Sequence, residues 1–392
     1  MLVLLEALSA WFGPLRLFGY NSFRAAGAAA TAFILMMIVM PPLVAWLRRK
    51  RFGEQGAKGD GALMIDTMRQ AKSGTPTMGG LGLILCIVIT VLLWCDPREW
   101  QVPLLLFAMI GFGTLGFVDD RVKIFKGAQG LGKRSKILLQ IGLGLVCGLW
   151  FWWNDGNNGA FTIGQIHARE ISEGVWAWRY SGLQAIDNAL TLPFLSLDYA
   201  PRIGLGIVLW TLVMTFMCSN SVNFTDGLDG LASGVMLIAA LAFMVIAYAA
   251  SHFIAAYHLG IIYVPGAQEI TIFCAALAGG CLGFMWFNGH PAEVFMGDTG
   301  SQALGGVLAM IAMCCKQEFL LLLVGSVFFI EGASVFLQVV YFRSTGGKRL
   351  FLCAPIHHHF QYKGWDESKI VIRFWIVAAV TALLALATLK LR

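Results

Sequence analysis

Ten runs of largely apolar residues separated by polar stretches organise the chain, at 24 to 47, 78 to 95, 101 to 118, 135 to 153, 203 to 219, 231 to 250, 270 to 287, 301 to 315, 318 to 341 and 370 to 390. Within each run the apolar residues are continuous and do not alternate every second position, which selects membrane helices over barrel strands. A helix needs about 20 such residues to cross ~30 Å of hydrocarbon, and most of the runs approach that length. The eighth is short and abuts the ninth through Lys316-Gln317-Glu318. The pattern predicts an all-α integral membrane protein of about ten transmembrane helices. No internal repeat or low-complexity linker divides it, so residues 1–392 read as a single polytopic domain.

Composition agrees with the pattern. The chain is 58% hydrophobic and 13% charged, about half the charge fraction of a soluble domain. The basic residues then set the orientation. Connections after runs one, three and nine hold Arg48, Arg49, Lys50, Arg51, Lys58, Arg69 and Lys72; Arg121, Lys123, Lys126, Lys133, Arg134 and Lys136; and Arg343, Lys348, Arg349, Lys363, Lys369 and Arg373. Connections of the other parity hold only Arg98, Arg169, Arg179, Arg202 and Lys316. The excess puts the first set in the cytosol, with both termini outside. The net charge of +6 is therefore concentrated beside the inner leaflet. That suits anionic lipid and phosphorylated substrates, not nucleic acid.

Two features add little chemistry. Met1 to Ala10 has no basic segment and carries Glu6, so it reads as an interfacial segment anchored by Trp11, Phe12 and Tyr20, not as a cleaved signal. The nine cysteines fall mostly inside runs, without zinc or redox spacing, and read as reduced packing residues.

Four polar stretches carry the candidate chemistry, and crossing parity puts all four on the cytosolic face. Acids near hydrocarbon are costly, about 2.5 to 3.5 kcal/mol each on insertion scales. Asp119 and Asp120 close the third run; adjacent carboxylates repel unless a cation compensates, and Lys123, Lys126 and Lys136 are near in sequence. A solvated helix cap is the alternative there. Asn223, Asp226 and Asp229 recur every third residue, which on a continuous helix would share one face. Gly227 and Gly230 flank Asp229 and leave backbone open to a ligand. Such oxygens suit a hydrated divalent cation or a polar ligand; an Asx-turn would explain one of the three residues. Asp298, in Gly297-Asp298-Thr299-Gly300-Ser301, is either an N-cap or a metal holder at a helix N-terminus, with the Phe295 ring just before it. His357-His358-His359 cannot all share one helical face, so a three-histidine metal site is disfavoured and phosphate binding or proton transfer is open.

Taken in order, Lys72 to Gly80, Asp119-Asp120, Asn223 to Gly230, Phe295 to Asp298 and Pro355 to His359 resemble the successive motifs of the phospho-N-acetylmuramoyl-pentapeptide-transferase family. The resemblance runs through almost the whole chain. It implies ten helices with both ends outside, Mg²⁺ as cofactor, and transfer of phospho-N-acetylmuramoyl-pentapeptide from its UDP carrier to undecaprenyl phosphate, with release of UMP and formation of lipid I. It also implies a homodimer. By motif match, Asp298 would be the principal Mg²⁺ ligand, Asp119 would take a proton from the lipid phosphate, and Asp120 would position metal or lysine. Lys72, Thr77, Asn223, Asp226, Asp229, Phe295, Gln338, His358 and His359 would line the nucleotide-sugar site. Phe295 would stack on uracil, Asp229 would bind the edge of that base, and His357 would lie near the diphosphate. The chain departs from the family in the segment 154–201, a long periplasmic insertion rich in Trp and Gly.

Two other readings remain at this point. A sibling enzyme moving N-acetylglucosamine 1-phosphate onto a polyprenyl phosphate would share the acidic motifs, although the Pro-Thr-Met-Gly-Gly and triple-His segments favour the muramoyl reaction. An ion-coupled transporter would also place acids in a helical membrane protein, but near mid-membrane on broken helices.

Overall fold

The apolar runs become helices at the expected positions. The computed structural model describes residue 2 and residues 13–50, 74–126, 130–157, 161–172, 175–185, 188–192 and 200–390. The long helices are α1 (Asn21–Arg49), α2 (Gly80–Trp94), α3 (Gln101–Lys126), α4 (Lys133–Asn157), α5 (Gly206–Thr225) and α6 (Leu231–Ala250). A short α7 (Phe253–Leu259) leads to α8 (Ala267–Asn288) and α9 (Gly297–Cys314). The one-turn α10 (Leu321–Val324), then α11 (Ser326–Ser344), the short α12 (Ile356–Tyr362) and α13 (Glu367–Thr388) complete the order. Each of the ten apolar runs thus corresponds to one long helix. Eight of them are long and apolar enough to cross a membrane, and α2 is a shorter apolar helix of 15 residues. The protein is an α-helical integral membrane protein.

Three boundaries differ from the sequence pattern. Helix α3 continues two turns past residue 118, to Lys126, because Asp119 and Asp120 find partners inside the protein and need not end the helix. The ninth run breaks at Gly325 into α10 and α11. The segment after α4, read only as long and Trp-rich, contains two antiparallel strands, β1 (Phe161–Ser172) and β2 (Val175–Ala185), paired with each other. These strands are an addition to the helical bundle and leave its class unchanged.

Without a hydrophobic driving force between helices in lipid, close packing relies on small residues. The central pair, α3 and α9, shows this. A Cβ at Gly116 would strike the Asp298 carbonyl, one at Gly306 would strike the Phe112 ring, and Gly80 of α2 lies against Gly300. Helix α9 is buried along nearly its whole length, so its N-terminus is held from several sides. Large apolar side chains such as Leu138 and Leu149 of α4, Phe336 of α11 and Leu383 of α13 point outward, as a lipid-facing surface requires.

Candidate active site

Asp119 and Asp120 are adjacent in sequence and buried, yet they serve different partners. The two-turn extension of α3 puts Lys123 one turn beyond Asp119, with Nζ 3.0 Å from its carboxylate. Lys136, on the first turn of α4, approaches the same oxygen at 3.1 Å, and the Leu131 N–H donates to the other at 2.7 Å. Asp120 turns instead to the start of α9. It accepts from the Asp298 and Thr299 N–H groups at 3.2 and 2.9 Å and from the Thr299 hydroxyl at 2.7 Å. A helix N-terminus carries unpaired N–H groups and partial positive charge, so a carboxylate there is stabilising. The repulsion expected of the pair is thus relieved by divergence: one acid faces lysines, the other a helix end.

This geometry corrects the N-cap reading of Asp298. Met296 occupies the cap position and makes no side-chain cap bond. Asp120 supplies the cap from another helix, leaving the Asp298 side chain free to face the lysines. Its two oxygens lie 2.9 Å from Lys123 Nζ and 2.6 Å from Lys136 Nζ. Asn223 and Gln302 approach it through their amide nitrogens at 3.4 Å each. Behind Gln302 lies an amide pair, the buried Gln140 with the half-buried Asn220 at 3.2 Å. Gly297 adopts φ +76°, a conformation L residues rarely take, and a Cβ there would collide with Asp120 and Thr77. Thr77 is brought to this point by a short backbone ladder: Phe295 N–H donates to Pro76 O, and Gly79 N–H to Phe295 O, both at 2.8 Å. The Thr77 and Phe295 motifs are therefore neighbours. Phe295 is half-buried.

The Asn223, Asp226, Asp229 set does not share one helical face, contrary to its spacing. Helix α5 ends at Thr225, Asp226 is its C-cap, and Gly230 takes a left-handed conformation before α6. Asn223, still helical, faces α9, where its amide oxygen accepts from the Ser301 hydroxyl at 3.0 Å. Asp229 is buried on the other side of the turn. Its carboxylate oxygen is 3.0 Å from His290 Nδ1 and accepts from the Ala292 N–H at 3.2 Å, while its own N–H donates to Glu367 at 2.8 Å. One donor atom each from Asp229, His290 and Glu367 lie within 4.8 Å of one another, the grouping of that kind found among the described residues. These hydrogen bonds fix the turn.

The three histidines diverge, as expected. His357 is fully buried, with Nδ1 3.0 Å from a Glu331 carboxylate oxygen. His358 Nδ1 lies 2.7 Å from Gln361. His359 Nδ1 accepts from the Leu352 N–H at 3.1 Å. Burial, then the nearby Lys363 ammonium, hold the His359 imidazole below its ordinary pKa, which keeps that nitrogen able to accept at neutral pH. Gln338 accepts from the Leu350 and Phe351 N–H groups at 3.1 and 2.8 Å, so it ties down the loop before the histidines. Lys72 lies outside the described residues.

Sequence reasoning missed Thr299, Gln302, Asn220, Gln140, His290, Glu367 and Glu331. A signal existed for Glu331 alone: an acid in the middle of an apolar run is costly and asks for a partner. The others are ordinary polar residues that only the folded chain brings to the acids.

The geometry defines a polytopic membrane protein with an acid and lysine cluster at one end of its bundle, and the comparisons agree. The sequence model of glycosyl transferase family 4 matches residues 102–316, from the start of α3 to just beyond α9. The chain is 42% identical to the phospho-N-acetylmuramoyl-pentapeptide-transferase of Solidesulfovibrio magneticus, over 99% of both chains. It is 41% identical, with the same coverage, to that of Desulfotalea psychrophila, and 40% identical to that of Maridesulfovibrio salexigens. The chain belongs to the phospho-N-acetylmuramoyl-pentapeptide-transferase family.

Proposed function

We propose that this protein transfers phospho-N-acetylmuramoyl-pentapeptide from its UDP carrier to undecaprenyl phosphate, at the cytosolic face of a bacterial inner membrane, producing lipid I and UMP. The observation that carries the reading is one of charge. Three carboxylates, Asp119, Asp120 and Asp298, share two ammonium groups, Lys123 and Lys136, and a net negative charge is left at a partly accessible site. Both substrates are phosphates, so the barrier is largely repulsion and positioning, and cationic groups that gather them lower it.

Mg²⁺ fits this donor set. It prefers oxygen ligands and is usually held by only one or two carboxylates, with water and substrate phosphate completing its shell. Asp298, the carboxylate at the N-terminus of α9 that both lysines face, would hold it, and when bound it would neutralise charge on the transferring phosphate. We assign Asp120 to capping α9, which aims Asp298. Lys123 and Lys136 screen the diphosphate, and Asp119 accepts any proton remaining on the lipid phosphate. The lipid phosphate is itself an anionic nucleophile, so direct displacement needs no covalent enzyme intermediate. We assign Phe295 and Asp229 to uracil, with Thr77, Asp226, His358, His359 and Lys72 around the nucleotide-sugar. The bundle is read as one membrane domain with 154–201 as a periplasmic insertion, and as a homodimer by family membership.

The test is UMP release from purified protein supplied with undecaprenyl phosphate and Mg²⁺. We expect release with UDP-N-acetylmuramoyl-pentapeptide and none with UDP-N-acetylglucosamine. The opposite preference would assign the chain to the sibling reaction. Orientation has its own test on a background free of native thiols. A cysteine at Ser344 is expected to react with impermeant reagent only after cells are opened, and one at Asn157 in intact spheroplasts.

A further inference from the structure

Glu331 and His357 form a pair that the acid and lysine cluster does not use. Both side chains are fully buried, Glu331 on α11 and His357 on α12. Their contact, Nδ1 to Oε2 at 3.0 Å, leaves Glu331 Oε1 and His357 Nε2 as buried polar atoms with no hydrogen-bond partner among the described residues. Such atoms cost free energy and need a reason. Nε2 has a direction as well. A Cβ on Gly227 would collide with it, so the imidazole edge lies directly beneath an exposed residue of the turn that carries Asp226 and Asp229. The position of Glu331 is fixed from outside the pair. A Cβ on the next residue, Gly332, would strike the Ser221 hydroxyl, so α11 is pressed against the last turns of α5, and α5 carries Asn223 to Asp298.

We propose that Glu331 is a positioning residue: its carboxylate holds the proton of His357 on Nδ1, so that the Nε2 edge is presented to the Asp226-Gly227 turn and to the anionic diphosphate bound there. A carboxylate accepts and does not donate, which makes Nδ1 the protonated nitrogen. Nε2 is then the atom that can take up a proton, and it reaches a phosphate oxygen when the Gly227 backbone above it shifts aside. The unpaired state of Nε2 is that of an atom kept for a ligand. The part this pair plays in turnover rests on the transferase reading; the tautomer does not.

The experiment combines nitrogen-15 spectroscopy of histidine-labelled protein with kinetics of Glu331→Gln. In the parent, the His357 signals, assigned by their loss in His357→Gln, are expected to report a protonated Nδ1. Glu331→Gln keeps the volume but can donate to Nδ1, and an amide replacing a carboxylate that orients an imidazole inverts the tautomer. We expect that inversion, a kcat lower by on the order of a hundredfold, and a KM for the UDP-sugar within about twofold. Neutral His357 protonated on Nε2 in the parent would overturn the proposal even where the variant fails to fold. Turnover of a folded Glu331→Gln within about twofold of the parent would overturn it too. An inactive parent would instead remove the transferase reading, and the tautomer would still be read.

Discussion

The two ends of the helical bundle both bury charge, but with different access to solvent. At the end where α1 and α8 begin, Arg24 meets Glu269 at 2.6 Å with both side chains 4% exposed, and the guanidinium also donates to the Trp94 carbonyl at 2.7 Å. Glu269 in turn accepts from the Asp96 N–H at 2.8 Å. Where α4 and α9 end, Lys316 meets Asp155, which also accepts from the Asn188 N–H at 2.7 Å. Each of these cations has an anion closed to solvent beside it, and a further buried acid at this end, Glu318, accepts from the Thr191 hydroxyl at 2.8 Å. At the opposite end two lysines serve three acids, and Lys123 and Lys136 keep 29% and 20% of their side-chain surface. A closed one-to-one pair has nothing left to offer a ligand and acts as a staple between helices. An open cluster with surplus negative charge can accept a cation and exchange its ammonium partners for phosphate. The same residue types become structure or site according to access and to whether one cation is shared between acids.

The largest expected effect separates the ends through stability. Arg24→Met leaves Glu269 buried without its cation, and breaking such a pair costs about 3 to 5 kcal/mol. A large drop in thermal midpoint is expected, with turnover per folded molecule unchanged. Adding Glu269→Leu should restore most of the midpoint, because the uncompensated charge is then gone. If Arg24→Met lowered turnover of the folded fraction as well, the closed pair would not be a mere staple. Asp298→Asn probes the other end. It removes one charge at almost constant volume, so the midpoint should hold while UMP release falls on the order of a hundredfold or more, the scale of a principal electrostatic contact. Near-parental, Mg²⁺-dependent release would break the contrast.

The helix order was legible in the chain, because apolar run length is a one-dimensional signal, but neither closed ion pair was, since each joins residues far apart in sequence. The pattern located all ten long helices and the four polar stretches. It also named Lys123, Lys126 and Lys136 as near the acids in sequence; the i to i+4 spacing on α3 explains Lys123, whereas Lys136 is brought to Asp119 by α4. What it missed came from contacts far apart in sequence. Nothing local says that Asp120 caps a helix starting at Gly297, or that Asp229 turns away from Asn223, because both depend on where α5 stops. The three-residue spacing misled because Gly227 and Gly230 end the helix, and their meaning as turn residues outweighs the periodicity.

Asp120→Asn gives a smaller effect. The amide keeps one acceptor oxygen, so α9 retains part of its cap; losing a cap altogether costs about 0.5 to 2 kcal/mol. A fall in turnover of about tenfold is expected, together with a raised Mg²⁺ requirement, because Asp298 is then aimed less firmly. An unchanged Mg²⁺ titration would show that the cap and the acid cluster are independent.

The smallest effect tests how rigid the open end is. Gln338 makes two hydrogen bonds to the Leu350 and Phe351 backbone, and that backbone continues into Leu352, whose N–H is accepted by His359. Hydrogen bonds of this kind contribute about 0.5 to 1.5 kcal/mol each, less where water can replace the lost partner, as it can on this exposed loop. Gln338→Ala should therefore leave the helices folded and loosen only the approach to the histidines. If Gln338 acts through the loop, substrate and transition state lose the same binding, so KM for the UDP-sugar rises by about threefold and kcat stays put. If the side chain instead touches the nucleotide-sugar itself, as the family resemblance implies, kcat/KM should fall well beyond tenfold. Steady-state kinetics of this one variant separate the two, and a fall beyond tenfold would move Gln338 from the frame of the open end into its binding surface.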